Sequence, residues 1–418
     1  MKKLVSLLLA LAMLISVCAC AEEISIIWWG NQTRNERTQA ALDLYSAGHE
    51  GVTFDPQFFV WNDYWEKIAT GATGNELPDI IQNDYAYLMQ YADAGKLLDL
   101  TPYIESGALD CSNVAQSTLD SGKGSDGKIY ALCIGVNAPA LIYNKTLLDS
   151  AEIEVPNYPT IDEFIDICRE VYEKTGVKTN FSNDANLLKS MQREKDELLF
   201  DGYALGGSVE DFEEYFNIMA LGMEEGWLID WTHVSERVGN EQDPMVYGAT
   251  PDARSWCIFA WSNMVESYQN VTEDDLAMVA YPANDTVKSD FLKPSQFFSI
   301  AANIDPESID TAIDVLNFWT NSAEANNILL AERGIPISSV VAEAIKPNVS
   351  PIQQEVFDFV NLVVTPRCSA INPADGPHAG EAEDCFSNIY EELCYGRLTA
   401  REAAEKFYED GNAVMAGN

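Results

Sequence analysis

Between residues 24 and 81 the chain alternates short β-branched and aromatic runs with amphipathic, capped segments, and this alternation restricts its fold more than any other feature. Ile24 to Trp29, closed by Gly30 and Asn31, has the composition and length of a buried strand. Thr33 and Glu36 have the spacing of a capping box and open a helix that gathers Ala41, Leu44 and Tyr45 on one face. Thr53 to Val60 gives a second strand, Tyr64 to Ala69 a second helix, and Leu77 to Ile81 a third strand that ends at Gln82, Asn83 and Asp84. Strands alternating with helices predict an α/β fold with a mainly parallel sheet, in which ligands lie at the carboxyl ends of the strands.

At 418 residues, 47% of them apolar, the chain exceeds what one core usually supports, so two lobes are expected. The strand Lys128 to Ile134 is followed by Gly135, Asn137 and Pro139, a candidate hinge. Beyond it, Leu141 to Asn144 is strand-like, and Thr160 with Glu163 caps a helix carrying Phe164, Ile167, Cys168 and Val171. Ser255 to Trp261 and Met278 to Tyr281 are further strands. The polar stretch Pro282 to Asp290 is a second crossing between lobes, and the break Gly334-Ile335-Pro336 a third. A helical region from Ser387 to Met415 ends the chain. The expected organisation is a signal peptide over 1–20, a first lobe from 21–136 plus 287–333, and a second from 137–286 plus 334–418.

Lys2 and Lys3 precede an apolar run from Leu4 to Val17, the layout of a secretory signal peptide, and no later apolar stretch is long enough to span a bilayer. Val17-Cys18-Ala19-Cys20 resembles a lipobox that would make Cys20 a lipidation site, although Ala19-Cys20-Ala21 also suits ordinary signal peptidase. An exported product is expected, anchored through Cys20 or else secreted. With 25 basic and 66 acidic residues, a formal charge of −41 opposes binding to nucleic acid or an anionic bilayer surface, leaving the N-terminus as the membrane contact. The nine cysteines contain no C-x-x-C, and His49, His233 and His378 form no metal spacing, so neither metal nor cofactor is expected. Cys133 and Cys257, inside apolar runs, suit buried and unreactive thiols.

Several stretches resemble the extracellular solute-binding proteins of sugar ABC importers, the class that contains maltose-binding protein. They are Asn75 to Ile80, Tyr91 to Ile104, Gly127 to Tyr130, Tyr143-Asn144-Lys145, Pro159 to Phe164, Phe259 to Asn263, and Arg333 to Pro336. Their order spans nearly the whole mature chain. The resemblance implies a two-lobed, periplasmic-binding-protein-like fold with three hinge crossings, each lobe a mainly parallel sheet flanked by helices. It further implies a monomer that closes on a sugar or oligosaccharide and delivers it to permease subunits without turning it over. Ala253-Arg254-Ser255-Trp256-Cys257 departs from the usual Gly-Lys-x-Ala-Met, which leaves the ligand's identity open.

A sugar presents apolar C–H faces and a rim of hydroxyls, so its binders pair aromatic rings with carboxylates, amides and arginines. At loop positions that this fold turns toward its cleft, the first lobe offers Trp29, Asn31, Trp61, Tyr64, Asp84 and Tyr85. The second offers Trp227, Trp231, Arg254, Phe259 and Trp261, and the hinge offers Asn137. Core packing competes for each ring, and a helix N-cap role competes for Asp84, where the family commonly places a hydroxyl-binding carboxylate. The scarcity of Lys and Arg beside these candidates argues against multiply charged anions. No Ser-His-Asp order, H-E-x-x-H, G-x-S-x-G or P-loop is present, which disfavours an enzyme. The competing roles are glycan sensing, holding glycan at the surface, and binding of a non-sugar solute.

Overall fold

The computed structural model describes residues 22–417 apart from 183, 236–241, 374 and 377. The expected signal peptide and Cys20 lie outside the described residues. The chain opens with β1 (Glu22–Trp29), α1 (Gln32–Gly48), β2 (Val52–Phe59), α2 (Trp61–Gly74), β3 (Ile80–Asn83) and α3 (Tyr85–Asp93). The alternation expected from sequence is therefore present. Asn31 rather than Thr33 caps α1: its side chain accepts from the Arg34 N–H at 2.9 Å, so the helix starts earlier than the capping-box spacing suggests.

The next strands are β4 (Leu132–Asn137), β5 (Pro139–Asn144), β6 (Cys257–Trp261), β7 (Leu276–Val279) and β8 (Lys293–Ile300). One sheet has the order β2-β1-β3-β8-β4, with β8 alone antiparallel to its neighbours. Its central strands are buried on both faces, as a parallel sheet covered by helices requires. Ile24, Ile26, Trp28, Phe298 and Ile300 pack on one side with Trp319. Each such side chain contributes about 1.5 to 3 kcal/mol of burial.

The second sheet has the order β6-β5-β7, and these pairs are antiparallel, with parallel bridges at Lys178–Ser255 and Thr179–Leu228 extending it. The reason is topological. β5 enters from the first lobe through the single residue Ala138, whereas β6 and β7 run back toward that crossing. Around this sheet pack α4 (Ile161–Thr175), α5 (Asn186–Glu194), α6 (Val209–Glu225), α7 (Ala379–Cys394) and α8 (Ala400–Met415). The capping box Thr160/Glu163 opens α4 as expected, and the helix buries Phe164, Ile167, Cys168 and Val171.

The helix Thr286–Ser289 packs on α5, and the chain enters the first sheet at Lys293. After Gly334, Ile335 exchanges backbone hydrogen bonds of 2.9 Å with Val136, Ser338 bridges Val114, and Ser339–Ile345 packs on helices of the first lobe. The transfer to the second lobe follows at Lys346–Asn348, because Pro351–Asp358 packs on β7. Cys133, Cys168 and Cys257 are buried, and burial pushes the Cys133 and Cys168 thiols up to about 12. None of the seven described cysteines is in a disulfide.

Candidate functional site: a cavity at the lobe crossing

The strand register decides which side chains meet between the lobes. Ala138 separates β4 from β5, with its N–H donating to Ser262 Oγ at 3.1 Å and its carbonyl accepting from the Ser262 N–H at 2.8 Å. On one side of that residue Asn137 pairs with Lys293, and on the other Pro139 pairs with Trp261. The crossing thereby brings a first-lobe lysine and a second-lobe tryptophan together, the Lys293 ammonium lying 4.2 Å from the centre of a Trp261 ring.

A cavity of about 250 Å³ opens over this pair. Tyr85, projecting from the carboxyl end of β3, lines it from the first lobe. Its hydroxyl donates to the Asn372 carbonyl at 2.7 Å, which ties the first lobe to the segment before α7. From the second lobe come Lys189 and Arg193 of α5, together with Tyr281, Phe291 and Asp375. Lys189 donates to Asp375 at 3.1 Å and to Glu383 at 2.9 Å. The Arg193 guanidinium lies 4.8 Å from the Phe291 ring, and its two terminal nitrogens donate to Asn372, Ala370 and Ser369, while its buried Nε–H has no partner among the described residues. Lys293 is open to solvent within this concave site, and the surrounding protein holds its ammonium below the usual lysine value by desolvation.

Of the twelve ligand candidates, Tyr85 and Trp261 line the cavity and Asn137 adjoins it through its pairing with Lys293. The Asn137 side-chain oxygen is buried and without a partner among the described residues. Asp84 is the N-cap of α3, accepting from the Ala86 N–H at 3.0 Å, and Asn31 holds the corresponding place on α1. Trp29 and Tyr64 are enclosed in an aromatic cluster with Trp61 and Trp65, with ring centres 4.9 to 5.5 Å apart. Only Trp61 of that cluster is substantially exposed, at 40%.

Three second-lobe candidates belong to the core instead. Trp227 is fully enclosed and donates to Glu225, Phe259 stacks on Phe181, and Trp231 meets Tyr390 edge-on. Arg254 pairs with Asp274 at 3.6 Å away from the cavity wall. The physical reason is common to the rings. A large aromatic on a strand or helix facing the sheet gains more from burial than from a wet cleft.

Sequence reasoning missed Lys189, Arg193, Lys293 and Asp375. The expected scarcity of basic residues near the site is corrected: three of the chain's 25 basic residues line one cavity. A signal was present in the spacing of Lys189 and Arg193, which puts both on one face of a helix in a strongly acidic chain.

A sheet-and-helix pair of lobes joined by short crossings, with a cavity walled by both, defines a two-lobed ligand-binding protein. Residues 40–352 match the bacterial extracellular solute-binding protein family, and the chain belongs to that family. A lactose-binding protein from Rhizobium radiobacter is 29% identical over 197 residues, covering 44% of this chain and 45% of that relative's length. The match thus spans less than half of it. A family 1 extracellular solute-binding protein from Alicyclobacillus acidocaldarius superposes with a TM-score of 0.86 at 26% identity, covering 94% of this chain and 98% of the other. An oligogalacturonide-binding protein from Yersinia enterocolitica has a TM-score of 0.66 at 20% identity over 94% and 98% of the two chains, a likeness of fold.

Proposed function

We propose that the chain captures an extracellular sugar or short oligosaccharide between its lobes and passes it, chemically unchanged, to the permease of an ABC importer. The observation that carries this reading is the cavity at the crossing, where Tyr85 of one lobe and Trp261 of the other face the same space. Aromatic faces beside the polar groups of Asn372, Asp375 and Lys293 match the alternating apolar and hydroxyl surfaces of a sugar. The lactose-binding and oligogalacturonide-binding relatives add support, since both are named for saccharides.

Closure supplies the signal. A ligand that touches both walls stabilises the closed arrangement by its differential affinity for it, and that arrangement is what the permease engages. In this reading the protein works as a monomer, held at the membrane by a lipid on Cys20. A thermal-shift screen of neutral and acidic mono- and disaccharides should find at least one that raises Tm in proportion to log concentration. Solution scattering with that sugar should then show a smaller radius of gyration. Saturation without any change in shape would refute closure, and no shift with any saccharide would refute the ligand class.

A further inference from the structure

Resting on the saccharide reading just given, we infer that the ligand is a short acidic sugar, whose ring carboxylate is held by Lys293 beside Trp261. Acidic residues outnumber basic ones 66 to 25 along the chain, yet the cavity is lined by three basic side chains and one carboxylate. A protein of this composition gathers cations at one place against its own average.

The three cations are not equivalent. Lys189 is satisfied by Asp375 and Glu383, and the terminal nitrogens of Arg193 are committed to Ser369, Ala370 and Asn372. Lys293 makes no ion pair or side-chain hydrogen bond among the described residues; its one close partner is the Trp261 ring face, and the charge of Asp84 acts on it from the first lobe. The Arg193 Nε–H also lacks a partner among the described residues, but it is buried and presents no surface to the cavity. One free ammonium suits a single carboxylate better than a multiply charged phosphate, which calls for several converging donors.

The rest of the wall suits a sugar ring. Trp261 and Phe291 meet edge to face with ring centres 6.1 Å apart, giving an apolar corner for the C–H face of a ring whose carboxylate reaches Lys293. A volume of about 250 Å³ lies below the usual range for drug-sized ligands and accommodates roughly one or two sugar rings. The class is therefore a uronic-acid mono- or disaccharide.

Calorimetric titration of the full mature chain with galacturonate and digalacturonate, against galactose and lactose as neutral counterparts, tests this. The wild type should bind the better acidic probe at least tenfold more tightly than its neutral counterpart, and raising NaCl from 50 to 500 mM should weaken the acidic probe alone. Lys293→Met should reduce the acidic preference to within twofold, and Lys293→Arg should restore most of it. Equal or tighter binding of the neutral sugar overturns the acidic assignment and leaves the saccharide reading standing. Binding of neither class overturns both. An acidic preference that survives in Lys293→Met overturns the role of Lys293.

Discussion

Two residues show how local geometry fixes positions that composition alone leaves open. A Cβ on Gly135 would stand 2.2 Å from the Arg333 carbonyl oxygen, where β4 passes the segment that leads into Gly334. Gly135→Ala should therefore lower the urea midpoint by an amount equivalent to about 1 to 3 kcal/mol, the range of overpacking penalties, whereas an unchanged midpoint would contradict so tight an approach. Asp84 answers a different question, that of cap against ligand contact. Asp84→Ala should cost about 1 kcal/mol of stability, and Asp84→Ser should recover most of it by capping α3 again. Recovery of stability without recovery of sugar affinity would show that the carboxylate also meets the ligand. At this scale the sequence singled out Trp261 by its motif and Tyr85 by its place after the third strand, and both line the cavity, but it could not separate Trp227 and Phe259 from the cleft. Strand and helix rings carry the same letters whether they face core or ligand.

Elements were more legible than side chains. The opening strand–helix alternation, the capped helix at Thr160 and the break around Gly135 to Pro139 all follow from periodicity and turn chemistry, and each is present in the fold. Antiparallel pairing of β5 with β6 and β7 was not legible, because strand direction depends on where a crossing delivers the chain. The second crossing also carries a titratable group. Asp290 is 1% exposed, one carboxyl oxygen lacks a partner among the described residues, and burial pushes its pKa up to about 7 despite the charges of Arg367 and Arg193. The folded state therefore keeps a proton that the unfolded state has lost between about pH 4 and pH 7, so this group makes stability fall as pH rises through that window. Asp290→Asn, a neutral isostere, should flatten that decline and gain up to a few kcal/mol relative to wild type at pH 8. Melting curves of both proteins from pH 4 to pH 8 that run parallel would argue against a protonated Asp290.

For the whole molecule the dominant physical fact is a formal charge of −41 on a body in which the charged residues lining the cavity at the crossing are three cations and one carboxylate. Self-repulsion of that size should be screened by added salt, so Tm should rise by a few degrees between 10 and 300 mM NaCl even as the affinity for an acidic sugar falls. Calorimetry at both salt concentrations separates the two effects, and a Tm that drops with salt would mean that ion pairs outweigh repulsion. Two lobes were legible from length and from the alternation of strands and helices. The cation-lined cavity was not, since Lys189, Arg193 and Lys293 come from a helix and a strand about a hundred residues apart.

The Asn137–Lys293 and Pro139–Trp261 pairs flank one residue, Ala138, that is also a joint between the lobes. If Lys293 and Trp261 hold the ligand as proposed, ligand choice and the mechanics of closure share the same few backbone positions. In that reading a lineage that shifts its diet by substituting Lys293 or Trp261 alters the joint in the same step, so new specificities are more readily gained along α5, which lies away from Ala138 in the chain.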